Sequence, residues 1–143
     1  MKSSFMLLFL LWSLSASQPV VLTLSLSNFE SVLSEMYIAV YKGPHGFLTD
    51  PRFSYTNFTS PITSNDFNKK LRVQLTLPGN RHYALAVYQD VNGDTLLERN
   101  IFGIPAEPWG VSGPFGIIYG KPAYKRARFK LVSETNIFIK LLN

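Results

Sequence analysis

Leu71-Arg72-Val73-Gln74-Leu75-Thr76-Leu77-Pro78-Gly79-Asn80-Arg81-His82-Tyr83-Ala84-Leu85-Ala86-Val87-Tyr88-Gln89 is the stretch whose reading decides the fold. Leu71, Val73, Leu75 and Leu77 alternate with Arg72, Gln74 and Thr76, and a period of two marks a strand with one buried face. Pro78-Gly79-Asn80 is a tight turn in which Gly79 or Asn80 can take a positive φ. Tyr83, Leu85 and Val87 then repeat the alternation up to Gln89. The two runs are close enough in sequence to be expected as an antiparallel hairpin.

Outward from this pair the same grammar continues. On the N-terminal side, Leu22, Leu24 and Leu26 alternate with Thr23, Ser25 and Ser27. Asn28 to Glu35 reads as a connection, with a short helical turn through Phe29 and Val32 as the alternative. Met36 to Tyr41 is rich in β-branched and aromatic residues and is expected as a strand. It stops at the turn residues Lys42-Gly43-Pro44-His45-Gly46, after which Phe47 and Leu48 are expected to pin the loop to the core. Phe53, Tyr55 and Phe58 suggest one irregular edge strand, limited by Pro51 and Pro61. On the C-terminal side, a glycine-rich connection from Gly113 to Pro122 leads to an expected strand, Tyr124 to Leu131. Ala127, Phe129 and Leu131 lie on one side of it. Ile137, Ile139 and Leu141 form the last strand.

About seven short strands with regular turn signals argue for an all-β, antiparallel sandwich, immunoglobulin-like or transthyretin-like, with one long functional loop. A closed small barrel is the alternative. No long helical period and no internal repeat interrupts the pattern.

The 143-residue chain is the size of one domain, expected over residues 18–143. Residues 1–17 read differently. A lone early charge, Lys2, precedes an apolar run from Phe5 to Leu14, and the small residues Ser15, Ala16 and Ser17 follow. This is the pattern of a signal peptide cleaved before Gln18. Its apolar core is too short for the roughly 20 residues that span a bilayer, and no later segment is long enough. Export to the periplasm or medium is therefore expected. With no cysteine, the chain has no disulfide framework, thiolate nucleophile or cysteine metal site. The domain must rely on its core, and its length is sufficient to bury one.

Between the strands lies the long loop from Asp90 to Ser112. It opens with oxygen-bearing side chains at alternate positions, Asp90, Asn92 and Asp94, with Glu98 beyond. Calcium takes six to eight oxygen ligands, and such an acidic turn supplies several, so calcium is the cofactor this segment would hold. Two positions depart from a full calcium loop: Thr95 stands where the sharp turn needs glycine, and Ile101 where a bidentate Glu belongs. Asp and Asn also stabilise turns by bonding their own backbone, which is the alternative reading. Farther along, Phe102 and Ile104 are expected to pack down on the sandwich. Glu107 to Gly110 would then be presented at its rim. Phe102, Glu107 and Trp109 are the candidate contacts for a glycan, peptide or envelope component, Trp109 as a stacking aromatic. Its alternative is a cap on the core.

Tyr124, Arg126, Arg128 and Lys130 would project from one strand face, where they meet an anionic partner or simply keep an exposed strand from pairing. The formal net charge of +5 carries no nucleic-acid motif with it. Catalysis has little support. His45 and His82 are the only histidines and lie in no metal-ligand spacing. No Gly-x-Ser-x-Gly occurs. Asp90, Asp94 and Glu98 crowd one turn, whereas glycosidase carboxylates face each other across a cleft. A non-enzymatic module is expected, with a hydrolase the less favoured class.

The same loop carries a resemblance. Asp90, Asn92, Gly93 and Asp94, then Glu98, Asn100, Phe102-Gly103-Ile104-Pro105, Glu107-Pro108, Gly110 and Ser112 are similar to the bacterial exported proteins of domain of unknown function 2141. Trp109 takes the place of the family's usual aromatic. Thr95 and Val111 depart from its glycine and phenylalanine. Ile38 to Tyr41, Gly46-Phe47, Tyr83 to Val87 and Ala127 to Leu131 extend the likeness over nearly all of residues 18–143. The resemblance implies a small exported β-sandwich and no assigned activity. A binding module with its surface on residues 90–112 and 43–48 is the expected function, and a calcium-stabilised envelope domain is the alternative.

Overall fold

The computed structural model describes residues 17–30, 33–64, 66, 70–114 and 121–143. The expected signal peptide and the Val32 end of the 28–35 connection lie outside the described residues, apart from Ser17 itself.

Among the described residues, eight strands form two sheets. One sheet has the order β4-β1-β8, built from β1 (Pro19–Ser27), β4 (Leu71–Pro78) and β8 (Thr135–Lys140). The other has the order β3-β2-β5-β6, from β2 (Ser34–Tyr41), β3 (Thr56–Ile62), β5 (Arg81–Asp90) and β6 (Trp109–Val111). The short β7 (Phe129–Leu131) pairs with β5 at Arg81 to Tyr83. The expected all-β sandwich is what forms. All pairs are antiparallel except β1 with β8, which runs parallel.

The core follows from the alternation. Leu22, Leu24, Leu26, Leu71 and Leu77 face Met36, Ile38, Val40, Tyr83, Leu85 and Val87 across the sandwich, with Ile139 and Leu141 closing one side. Each of these side chains contributes roughly 1.5–3 kcal/mol by leaving water.

The expected hairpin between the two deciding runs does not form. β4 pairs with β1 and β5 pairs with β2, so the Pro78-Gly79-Asn80 turn carries the chain from one sheet to the other. Its polar groups show why. Gly79 donates its N–H to Gln18 O at 2.8 Å, and Asn80 donates to Leu131 O at 2.7 Å. The Tyr83 hydroxyl donates to Pro78 O at 2.8 Å. Asn80 takes the left-handed conformation (φ 56°). Gly79 is required by contact, since a Cβ there would come within 2.8 Å of Val20 Cγ2. Two runs with period two look the same in sequence whether they lie side by side or face to face.

A second correction concerns Tyr124 to Leu131. Tyr124–Ala127 is one helical turn, α1, and only Phe129–Leu131 is strand. Ala127 and Leu131 are buried and Arg126, Arg128 and Lys130 exposed as expected, but the helical turn puts Tyr124, three residues before Ala127, on the inward side against Phe47 and out of the exposed stripe. Phe47 behaves as expected, buried edge-on against Tyr41 and Tyr124 at 5.3 and 5.7 Å. The expected edge strand begins only at Thr56. Before it, Pro51–Phe53 forms a 3-10 turn capped by the Asp50 side chain, which leaves Phe53 and Tyr55 exposed.

Candidate functional site

The long loop divides into a base and a tip. At the base, Asp90 is buried at the end of β5 (4% exposed). Its Oδ1 accepts from Gly93 N at 2.7 Å and its Oδ2 from Thr95 N at 2.9 Å. Asn92 Oδ1 accepts from Asp94 N at 3.1 Å, and Asp94 Oδ1 from Leu96 N at 2.8 Å. Asn92 Nδ2 donates to Asp94 Oδ2 and Glu98 Oε1, each at 3.2 Å. The alternating oxygens thus hold their own backbone in successive Asx turns. Thr95, at φ 68°, occupies the left-handed conformation that glycine would take without strain. Among the described residues, no three His, Cys, Asp or Glu side chains are grouped to hold a metal ion.

Glu107 lies at this base and not at the rim, correcting the expectation for it. It is 6% exposed. Its Oε1 accepts from Val91 N at 2.9 Å and its Oε2 from Glu98 N at 3.4 Å, tying the two ends of the loop together. The charge is buried because both oxygens find donors. Ser112 closes the base. Its Oγ accepts from Leu85 N and donates to Ala127 O, both at 2.8 Å, where β6 has ended and β7 has not begun.

Between these anchors, residues 98–106 fold as a small two-stranded arm. Ala106 N donates to Glu98 O and Asn100 N to Ile104 O, both at 2.8 Å. Asn100 Oδ1 accepts from Phe102 N and Ile104 N at 2.9 and 3.1 Å, and Gly103 turns the chain at φ 75°. This fixes the arm with its apolar side chains outward. Phe102 and Ile104 do not pack on the sandwich: Phe102 is 80% and Ile101 94% exposed, with Ile104 and Leu96 also exposed. With its own turn bonds satisfied, the arm has no need of the core to hold its shape.

Behind the arm lies a cleft of about 560 Å³ on the outer face of the β3-β2-β5-β6 sheet. Its floor is Ala39 and Ala86, opposite each other in the β2–β5 ladder. One wall is the row Tyr37, Tyr88 and Trp109, which are cross-strand neighbours. Tyr37 and Tyr88 stack at 4.8 Å with planes 11° apart. The Tyr88 hydroxyl donates to Thr95 O at 2.9 Å, fixing this wall to the loop base. Burial first, then Tyr37, then the carboxylates of Asp90, Glu107 and Asp94, hold the Tyr88 phenol above its ordinary value. The other walls come from Leu48 to Arg52 and from Leu96, Leu97 and Arg99. Arg99 Nη2 reaches Leu48 O at 3.3 Å, so the loops expected as neighbours do meet.

The sequence-derived candidates therefore separate. Trp109 lines the cleft and also joins the sheets, through mutual backbone bonds with Leu142 at 3.0 and 2.8 Å. Phe102 is at the tip, and Glu107 is in the base. Tyr124 is half-buried on Phe47, Arg126 and Arg128 are exposed beside it, and none of the three lines the cleft. His45 packs on Phe53, and His82 lies opposite Lys130 in the β5–β7 ladder. Sequence reasoning missed Tyr37, Ala39, Ala86 and Tyr88. Their signal was present: alanines stand at outward positions of two strands whose neighbours are aromatic, which leaves room above the sheet.

The fold and this loop define a two-sheet β-sandwich with an outer-face cleft and a projecting apolar arm. The chain belongs to the family of uncharacterised proteins conserved in bacteria, domain of unknown function 2141, whose match covers residues 24–139. No curated protein and no solved structure matches it.

Proposed function

We propose that the protein is an exported, non-enzymatic binding module that engages a glycan, peptide or other envelope component through its 90–112 loop. The single observation that supports this reading is the arm: a rigid, internally bonded turn that holds Ile101 and Phe102 in water. A fold with a filled core has no structural use for such exposure, and exposed apolar clusters on monomers are commonly contact sites. The signal-peptide pattern of residues 1–17 supports export. No helix among the described residues is long and apolar enough to cross a membrane.

Retention on washed bacterial envelope fragments tests the reading. The protein is expected to co-sediment with them, and Ile101→Ser/Phe102→Ser to remain in the supernatant with an unchanged melting temperature. Equal retention of the variant would remove the loop as the contact surface. Mass measurement of protein recovered from the periplasm or medium tests export, which requires a chain beginning at Gln18.

A further inference from the structure

The outer-face cleft is lined by groups that suit one kind of guest. Its surface is mostly apolar: Ala39 and Ala86 below, Tyr37, Tyr88 and Trp109 on one side, Leu48, Leu96 and Leu97 around. Three charged side chains also line it, Asp50, Arg52 and Arg99. Asp50 and Arg52 neutralise each other. Arg52 Nη2 donates to Asp50 Oδ2 at 2.7 Å and Nε to both oxygens at 3.0 and 3.1 Å. The same contact holds the Asp50 carboxyl below its ordinary value, by hydrogen bonding first. It is the one ion pair among the described residues.

Arg99 is in a different state. Nη1 donates to Gly103 O at 2.9 Å and Nη2 to Leu48 O at 3.3 Å. Both acceptors are neutral carbonyls, so the guanidinium is held in place while its charge is left unbalanced. Of its five N–H groups, these bonds use two. The loop carboxylates do not answer it. Asp90, Asp94 and Glu98 do not line the cleft, and Asp90 and Asp94 are bonded to backbone N–H groups and Glu98 to Asn92.

We infer that the cleft binds an anionic amphiphile: a small molecule whose apolar body lies over Ala39 and Ala86 and whose acid group pairs with Arg99. The volume falls within the roughly 300–1,000 Å³ of small-molecule sites, which are largely apolar with a few placed polar groups. A guanidinium fixed by two carbonyls presents its remaining donors at low entropic loss to a carboxylate or phosphate. The charge balance disfavours a cationic guest. The acid group belongs either to a free fatty acid or to an anionic lipid drawn from a membrane. These share the chemistry and differ in source.

Trp109 lines the cleft and reports its occupancy by fluorescence, with Trp109→Phe as the blank. The probes are laurate, dodecanol and dodecyltrimethylammonium, each below its micellar concentration, and vesicles of phosphatidylglycerol or phosphatidylcholine. Laurate is expected to shift the emission saturably and to bind at least roughly tenfold more tightly than the alcohol. The ammonium compound is expected to leave the signal unchanged. Arg99→Gln should lower laurate affinity to that of the alcohol, and Ala86→Leu or Ala39→Leu, which fill the floor, should remove both. Response to phosphatidylglycerol vesicles alone, still lost in Arg99→Gln, identifies the lipid as the source. The inference is overturned if all three probes bind alike, if Arg99→Gln binds laurate as the parent does, or if neither anionic probe acts. Ile101 and Phe102 do not line the cleft. Ile101→Ser/Phe102→Ser should therefore keep its laurate response, and the two proposals fail separately.

Discussion

The base and the tip of the 90–112 loop contrast within a few residues of one another. At the base, polar side chains are buried: Asp90, Glu107 and Ser112 each bond backbone groups that would otherwise lie unpaired. At the tip, apolar side chains are in water: Ile101, Phe102 and Ile104. This inverts the usual partition, and the inversion separates the two tasks. Polar groups inside hold a loop that has no core of its own. Apolar groups outside are then free to make contacts, since stability does not depend on them.

The contrast breaks most readily at Asp90. Asp90→Ala leaves the Gly93 and Thr95 N–H groups without their acceptor beside a buried site, and should cost about 3 kcal/mol in denaturant unfolding. A loss no greater than that of a tip substitution would mean the base is not what holds the loop. Thr95→Gly acts in the opposite direction. Thr95 is β-branched and held at φ 68°, and relief of that strain should outweigh the added freedom of the unfolded chain. A gain of roughly 0.5–1 kcal/mol is expected, read from the shift in the urea midpoint.

Tyr88 ties the cleft wall to the base, and it carries a pH dependence. Its folded pKa is raised above the ordinary 10.0, chiefly by burial. The folded state therefore favours the neutral phenol. That contribution is fully present below pH 10 and is lost as pH rises toward the folded value. Tyr88→Phe cannot ionise, so its melting temperature should fall less steeply than the parent's above pH 10. Parallel slopes would show that the ring does not sense its surroundings in this way. The smallest effect is expected from calcium. The Asp90, Asn92 and Asp94 oxygens already bond backbone N–H groups, so millimolar calcium and a chelator should give the same melting temperature. A rise of several degrees with calcium would instead show a metal role through linkage.

Much of the sandwich could be read directly. Leu22, Leu24 and Leu26, or Tyr83, Leu85 and Val87, state which face is buried because period two has one physical meaning in a half-buried strand. Pairing was not legible. Leu71 to Leu77 and Tyr83 to Val87 carry the same alternation as hairpin partners or as facing strands, and the decision rests on long-range bonds from Gly79 to Gln18 and Asn80 to Leu131. The loop was misread for a related reason. Apolar Phe102 and Ile104 were expected inside and charged Glu107 outside, which is the rule when burial alone decides. Here local hydrogen bonding decides: Asn100 closes the arm by itself, and Glu107 finds two N–H donors, Val91 and Glu98, in the first part of the loop. The cleft emerged only when Ala39 and Ala86 came together in register.

The most direct test of the division between base and tip measures stability and envelope retention together on Ile101→Ser/Phe102→Ser. Exposed substitutions of this kind should change stability by no more than about 0.5 kcal/mol. The predicted result is an unchanged melting temperature with retention lost. Retention at the parent level, or a melting temperature lowered as far as in Asp90→Ala, would contradict the division.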